Sequence, residues 1–176
     1  MLVCISGTPG TGKSSVGRAL AKLTGFNLIE ANDFARSHSL ITGRDKKRKS
    51  LIVDTDGLKQ ESSKLKGDYI LTGHVSHFAK CGICIILRAN PDVLEARLQK
   101  RRWNREKIAE NVEAEILDVC LKEAVDECGK DNVFEIDTTG KRTKVAAAEA
   151  LAIIRGNGRK NHAPGKINWT KYLKIA

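Results

Sequence analysis

The sequence has 176 residues, 41% hydrophobic and 30% charged, which suits one domain with its own core and excludes a chain disordered throughout. No apolar run approaches the roughly 20 residues that cross a bilayer, and the start Met1-Leu2-Val3-Cys4 carries no basic leader, so a cytoplasmic protein without membrane contact is expected. The net charge of +10 sits in two stretches: residues 44–49 contribute +4 and residues 155–176 contribute +6, while the other 148 residues balance at 20 against 20. Clustered Lys and Arg of this kind suit a polyanionic partner, and equally a solvated loop and tail.

Leu2 to Ser6 is a short apolar run that passes through a Gly-rich turn into a helix from Ser14 to Thr24, with Val16, Leu20 and Leu23 at helical spacing before Gly25. A second strand, Asn27 to Glu30, leads to Asn32-Asp33, good capping types, and then to the basic run and Leu51-Ile52-Val53-Asp54; this region reads as a small helical insertion. Tyr69 to Thr72 and Ile83 to Leu87 are the next strands, the latter apolar throughout, as in a strand covered on both faces. Pro91 opens a helix carrying Leu94 and Leu98, which the cluster Lys100-Arg101-Arg102-Trp103-Asn104-Arg105 interrupts as a hinge or lid. Ile108, Val112, Ile116 and Val119 form the stripe of one long helix ending near Gly129. A strand from Val133 to Ile136 and a helix from Thr143 to Ile154, closed by Gly156, complete the series. Strands alternate with helices, which predicts a three-layer α/β/α architecture with a mostly parallel five-stranded sheet over residues 1–156. Residues 157–176 form a basic tail whose Ile167, Trp169, Tyr172 and Leu173 are expected to dock onto something.

Gly7-Thr8-Pro9-Gly10-Thr11-Gly12-Lys13-Ser14 fits G-x-x-x-x-G-K-[ST] between a predicted strand and a predicted helix. In such a loop the backbone N–H groups face an anion and the helix start adds its positive dipole end. Lys13 brings a mobile charge to the β and γ phosphates, Ser14 offers a hydroxyl to Mg²⁺, and Ser15 sits near the α phosphate. The chain has no N-K-x-D segment for reading guanine, which favours a small-molecule or nucleotide kinase over a GTPase. A phosphate acceptor is already anionic at pH 7, so such a kinase needs cations rather than a general base. Arg36, Arg88, Arg97, Arg101, Arg102 and Arg105 are the candidates; Arg97, Arg101 and Arg105 share a face if their helix continues.

Five motifs together, Gly7 to Ser15, Asn32-Asp33-Phe34-Ala35-Arg36, Asp54-Thr55-Asp56, Gly73-His74-Val75-Ser76-His77-Phe78 and Arg97 through Arg101-Arg102-Trp103-Asn104 to Glu115, resemble a known family across most of the chain. It is that of adenylate kinase isoenzyme 6, the coilin-interacting nuclear ATPase, with its archaeal relatives. The resemblance implies a P-loop nucleoside monophosphate kinase that converts ATP and AMP to two ADP, also hydrolyses ATP, and assists maturation of the small ribosomal subunit, with a ribosomal protein and pre-ribosomal RNA as partners. It implies that Gly10, Gly12, Lys13, Ser14 and Ser15 hold ATP, and that residues 30–53, with Asp33 and Arg36, bind AMP. Residues 100–111 would form a short lid. Arg101 aligns with the family's lid arginine, and Arg102 stands where relatives often have Gly, so either can reach the transferring phosphoryl group. His74 resembles a histidine implicated in hydrolysis; a structural histidine is the competing reading.

Eukaryotic members carry an acidic residue at the end of the strand before this histidine, where this chain has Thr72. Mg²⁺ would then depend on Ser14, phosphates and waters, with Asp54 or Asp56 further out. The five cysteines, Cys4, Cys81, Cys84, Cys120 and Cys128, are an odd number in mostly apolar segments and argue for reduced thiols. Cys81-Gly82-Ile83-Cys84 has C-x-x-C spacing. In a strand, however, its sulfurs would point to opposite faces, and no second pair follows at zinc spacing, which favours buried thiols. Two other readings stand beside the kinase: an ATP-dependent ribosome assembly chaperone whose kinase activity is incidental, and a metabolic kinase for another small acceptor.

Overall fold

A computed structural model describes residues 1–45 and 50–173; the basic run Lys46 to Lys49 lies outside the described residues. Five apolar stretches form β1 (Leu2–Ser6), β2 (Asn27–Glu30), β5 (Tyr69–Thr72), β6 (Ile83–Arg88) and β7 (Val133–Asp137), which build one sheet in the order β2-β5-β1-β6-β7. All four pairings are parallel; Cys4, for example, stands opposite Leu71 on one side and Cys84 on the other. Parallel neighbours need crossovers, which α1 (Lys13–Thr24), α2 (Ala31–Ser37), α3 (Thr55–Ser63), α4 (Pro91–Lys100), α5 (Arg105–Ile116) and α6 (Val119–Cys128) supply, while α7 (Thr143–Ile154) follows the last strand. Between α2 and α3 lies an antiparallel hairpin, β3 (Ile41–Asp45) and β4 (Ser50–Val53).

The period of two along each central strand divides the core. Val3, Ile5, Ile70, Ile85 and Ile136 pack with Val16 and Leu20 of α1 and with Ala146, Ala150 and Ile153 of α7. Cys4, Leu71, Cys84 and Ile86 face Phe34, Leu58, Leu121 and Ala124 on the other side. A smaller cluster of Leu94, Leu98, Ile108 and Trp103 joins α4 to α5.

Three expectations need correction. Residues 30–53 are not a purely helical insertion, because the chain after α2 turns into the hairpin, and α3 follows as a separate helix capped by Asp54, whose side chain accepts from Gly57 N–H at 3.0 Å. The long helix from Ile108 is two helices. Asp118 adopts a left-handed φ of 58° between α5 and α6 and turns its carboxylate to Arg88, which ends the first helix although the apolar stripe runs on. Arg105 shares no face with Arg97, because α4 stops at Lys100 and α5 restarts behind Asn104, whose side chain accepts from Lys107 N–H at 2.8 Å.

The aromatic tail docks onto the domain itself. The Tyr172 hydroxyl lies 2.6 Å from Asn90 Nδ2, the Gly165 N–H donates to Glu135 Oε2 at 2.6 Å, and Trp169 meets Tyr172 edge to face. Ile167, Trp169 and Tyr172 are half-buried, whereas Lys160, Lys166 and Lys171 stay exposed. None of the described helices is long and apolar enough to cross a membrane.

Helix α1 lies close over β5 because Gly17 has no side chain: a Cβ there would come within 2.3 Å of Thr72 Cγ2. Gly17→Ala is expected to lose about 1–3 kcal/mol of stability through overpacking, read as a lower urea midpoint; an unchanged midpoint would show that α1 can lift off the sheet freely.

Candidate active site

The C-terminal ends of the parallel strands gather the polar groups, as open α/β sheets do. Between β1 and α1 the chain forms a tight loop in which Gly12 holds φ at +101°, a conformation open to glycine. The Lys13 ammonium donates to the Gly7 carbonyl at 2.7 Å and the Thr8 carbonyl at 3.0 Å, so it spans the loop. Burial lowers its pKa to about 8, and the Arg101 charge pushes the same way against the Cys120 and Glu115 contributions. Ser14 is half-buried in the first turn of α1 and Ser15 is exposed beside it.

A buried ionic network carries this loop. Thr8 Oγ1 donates to Glu115 Oε2 at 2.6 Å, and Glu115 Oε1 accepts from Arg88 Nε at 2.7 Å and from the Ala89 N–H at 3.1 Å. Arg88 also donates to Glu135 Oε1 at 2.6 Å and to Asp118 Oδ1. Burial opposes the Arg88 charge, but the Glu115, Asp118 and Glu135 carboxylates together outweigh it and raise the Arg88 pKa; burial raises that of Glu135. On the other flank, Arg97 donates to Gly10 O at 3.2 Å and Thr138 O at 3.1 Å, and Thr138 Oγ1 donates to Thr11 O at 2.9 Å. Arg88 and Arg97, two of the six candidate arginines, therefore brace the loop. Glu115 and Thr138 had no separate signal in the sequence, since one sits in an amphipathic helix and the other in a short polar turn.

Two clefts flank the loop. The larger, of about 440 Å³, lies between Pro9, Asn32 and Arg36 of α2, Arg44, Ser50, Leu51 and Val53 of the hairpin, His74, and Trp103, Lys107 and Asn111 around the start of α5. The smaller, about 140 Å³, lies between Gly12, Ser15, Arg97, Thr138, Lys141 and Thr143. Arg36 enters the large cleft with Asp33 bonded to its guanidinium at 3.0 Å. His74 sits over the loop with Nδ1 3.3 Å from Gly7 O, to which it donates in the Nδ1–H tautomer, and 3.7 Å from Cys120 Sγ. Desolvation, then the Lys13 charge, lower its pKa, so the ring is neutral at pH 7.

Arg101 and Arg102 lie in the turn after α4, outside the lining of both clefts. Arg101 bears electrostatically on Lys13, and Arg102 has a left-handed φ of 57°, the conformation for which glycine is suited. Asp54 is engaged as the cap of α3, and Asp56 is exposed in the same turn. The Thr72 hydroxyl is buried with no protein partner. An orphaned hydroxyl at a strand end under α1 is compatible with a hydrated Mg²⁺ but offers it no carboxylate.

Removing Arg88 leaves Glu115 and Glu135 buried without their cation. Arg88→Met is expected to cost about 3–5 kcal/mol. Part of this returns as pH falls, because Glu135, whose pKa burial raises, takes up a proton; a loss equal at pH 5 and pH 8 would contradict the network.

The sequence matches the AAA domain model over residues 3–118. It is 38% identical over 173 residues to the "Putative adenylate kinase" of Thermococcus kodakarensis, covering 97% of this chain and 94% of that protein. It is 40% identical to the protein of the same name from Pyrococcus furiosus, covering 97% and 92%. Among solved structures, the fold resembles shikimate kinase from Acinetobacter baumannii, with a TM-score of 0.62 at 18% identity over 89% of this chain and 94% of that one. A gluconokinase from Sinorhizobium meliloti follows at 0.57 and 17%, over 91% and 94%. With this phosphate loop, this three-layer kinase fold and near full-length likeness to the archaeal proteins, the chain belongs to the AAA-domain P-loop kinase family that includes them.

Proposed function

We propose that this protein is an adenylate kinase that transfers the γ-phosphoryl group of ATP to AMP, hydrolyses ATP slowly when AMP is absent, and serves maturation of the small ribosomal subunit. The observation that carries the kinase reading is the pair of clefts on opposite flanks of one phosphate loop, a layout that suits two nucleotides meeting at their phosphates. The smaller, beside Ser15 and Thr138, suits ATP; the larger, with Arg36, suits AMP.

In this reading an ionised phosphate oxygen of AMP attacks the γ phosphorus, the bond to the β-bridging oxygen breaks, and both products are ADP. No proton need be removed first, so the task of the protein is to hold two polyanions in line. Gly10 and Gly12 shape the loop, Lys13 follows the migrating phosphoryl group, and Arg101 closes on it, ahead of Arg102. Ser14 would hold Mg²⁺ together with phosphate oxygens and water, with Asp54 or Asp56 at most in outer contact. When bound, that ion shields the charge of the β and γ phosphates. Neutral His74, in the tautomer that donates from Nδ1 to the Gly7 carbonyl, keeps Nε2 as the acceptor that orients a water for hydrolysis.

The assay is ADP formation from Mg·ATP with and without AMP. Wild type should show strong AMP dependence, Lys13→Ala should lose both activities by at least about 100-fold, and Arg36→Ala should raise the KM for AMP while sparing hydrolysis. ADP production indifferent to AMP would instead support an ATP-driven assembly factor, a reading favoured by the exposed lysines of the docked tail.

Lys13 adds a test by pH. Its pKa of about 8 means that above this value an arriving triphosphate must recharge it. ATP affinity is therefore expected to fall by up to about tenfold per pH unit above that point, a slope that Lys13→Met abolishes. Flat wild-type affinity across this range would remove Lys13 from its role.

A further inference from the structure

At the opposite end of the sheet from the phosphate loop, three cysteines converge and a fourth, Cys4, stands beside them on β1. Cys81 lies ahead of β6 rather than inside it, so the alternation expected of a strand does not separate it from Cys84, and their sulfurs face the same point. Cys128, the last residue of α6, joins them: the ligand atoms of Cys81, Cys84 and Cys128 all lie within 4.8 Å of one another, and the Cys81 and Cys128 sulfurs are 3.8 Å apart. Cys4 of β1 is the register partner of Cys84, shares its face of the sheet, and is close enough to Cys81 and Cys128 to bear on them electrostatically. A tetrahedral zinc site with Zn–S of about 2.3 Å has sulfur–sulfur edges of about 3.8 Å. The Cys81–Cys128 contact already has that length.

We propose that Cys81, Cys84 and Cys128, with Cys4 as the fourth ligand, form a structural zinc site. The donor set decides the metal class, because four thiols select soft tetrahedral ions over Mg²⁺ or Ca²⁺. The surroundings decide its role: Cys4 and Cys84 are fully buried in adjacent strands, and no open coordination position remains once four sulfurs are engaged, the mark of a structural site. Cys81 and Cys128 are half-buried, which gives the ion its way in. Binding exchanges thiol protons for the metal, including the one Cys128 now shares with the His77 carbonyl at 3.3 Å, and it ties the C-terminus of α6 to the sheet. No electron transfer is involved.

The experiment uses the full chain, without a metal-binding tag, purified under reducing conditions and equilibrated with a small excess of Zn²⁺ before gel filtration. Elemental analysis should give about one zinc per chain, the Cys81→Ser, Cys128→Ser double variant should retain less than a tenth of it, and Cys120→Ser, which lies outside the cluster, should keep it all. If the double variant folds poorly, Co²⁺ added to wild type serves in its place: thiolate-to-cobalt charge-transfer bands with tetrahedral ligand-field bands support the site, and an octahedral spectrum overturns it. Absence of stoichiometric zinc, equal zinc in the double variant, or a Cys81–Cys128 disulfide found in the reduced preparation would each overturn the proposal. The wild-type Tm should rise with zinc and fall with a chelator, whether or not AMP is a substrate, so failure here is separable from failure of the kinase reading.

Discussion

Arg88 is 1% exposed, yet its guanidinium serves Glu115, Asp118 and Glu135, and the position of the phosphate loop follows from that arrangement. Glu115 turns one oxygen to Arg88 and the other to Thr8, so the loop is referred to the centre of the sheet rather than to surface turns. The cluster holds three carboxylates against one guanidinium, and N–H groups of Ala89, Gly165 and Lys166 supply the remaining donors. Ion pairs of this sort are weak sources of stability but costly to break, which suits a device that fixes geometry. Arg97 and Thr138 hold the other flank through backbone carbonyls of the loop itself. A turn clamped from both sides keeps its N–H groups directed at one place, as electrostatic preorganisation requires.

The two ends of the sheet have divided their chemistry. Where the strands finish, charged groups crowd together at a cost visible in the lowered Lys13 and raised Glu135. Where β6 begins, the side chains are soft and nearly neutral, and cysteine takes the place of charge.

The five strands were legible because each is a short apolar run bounded by Gly, Pro or polar residues, and Tyr69–Thr72 and Leu2–Ser6 fall where the sequence puts them. The phosphate loop was legible for a related reason, since its glycines are demanded by backbone conformation rather than by distant contacts. What periodicity could not carry was decided by partners far away in sequence. The apolar stripe continues past Asp118, and only Arg88, thirty residues earlier, explains the break. Of the six candidate arginines, local sequence had no means of separating Arg88 and Arg97, which hold the scaffold, from Arg36, which lines a cleft. Cys81 and Cys128 are 47 residues apart, a pairing invisible to any search for closely spaced ligand pairs. The basic run that spacing marked so clearly, Lys46 to Lys49, has no described geometry to set beside it.

Glu135 accepts its last two hydrogen bonds from the backbone of Gly165 and Lys166, some thirty residues downstream. A buried carboxylate short of donors is costly, and Glu135 is linked through Arg88 and Glu115 to Thr8, so a change that unseats residues 165 and 166 removes two donors from the same network that carries the phosphate loop.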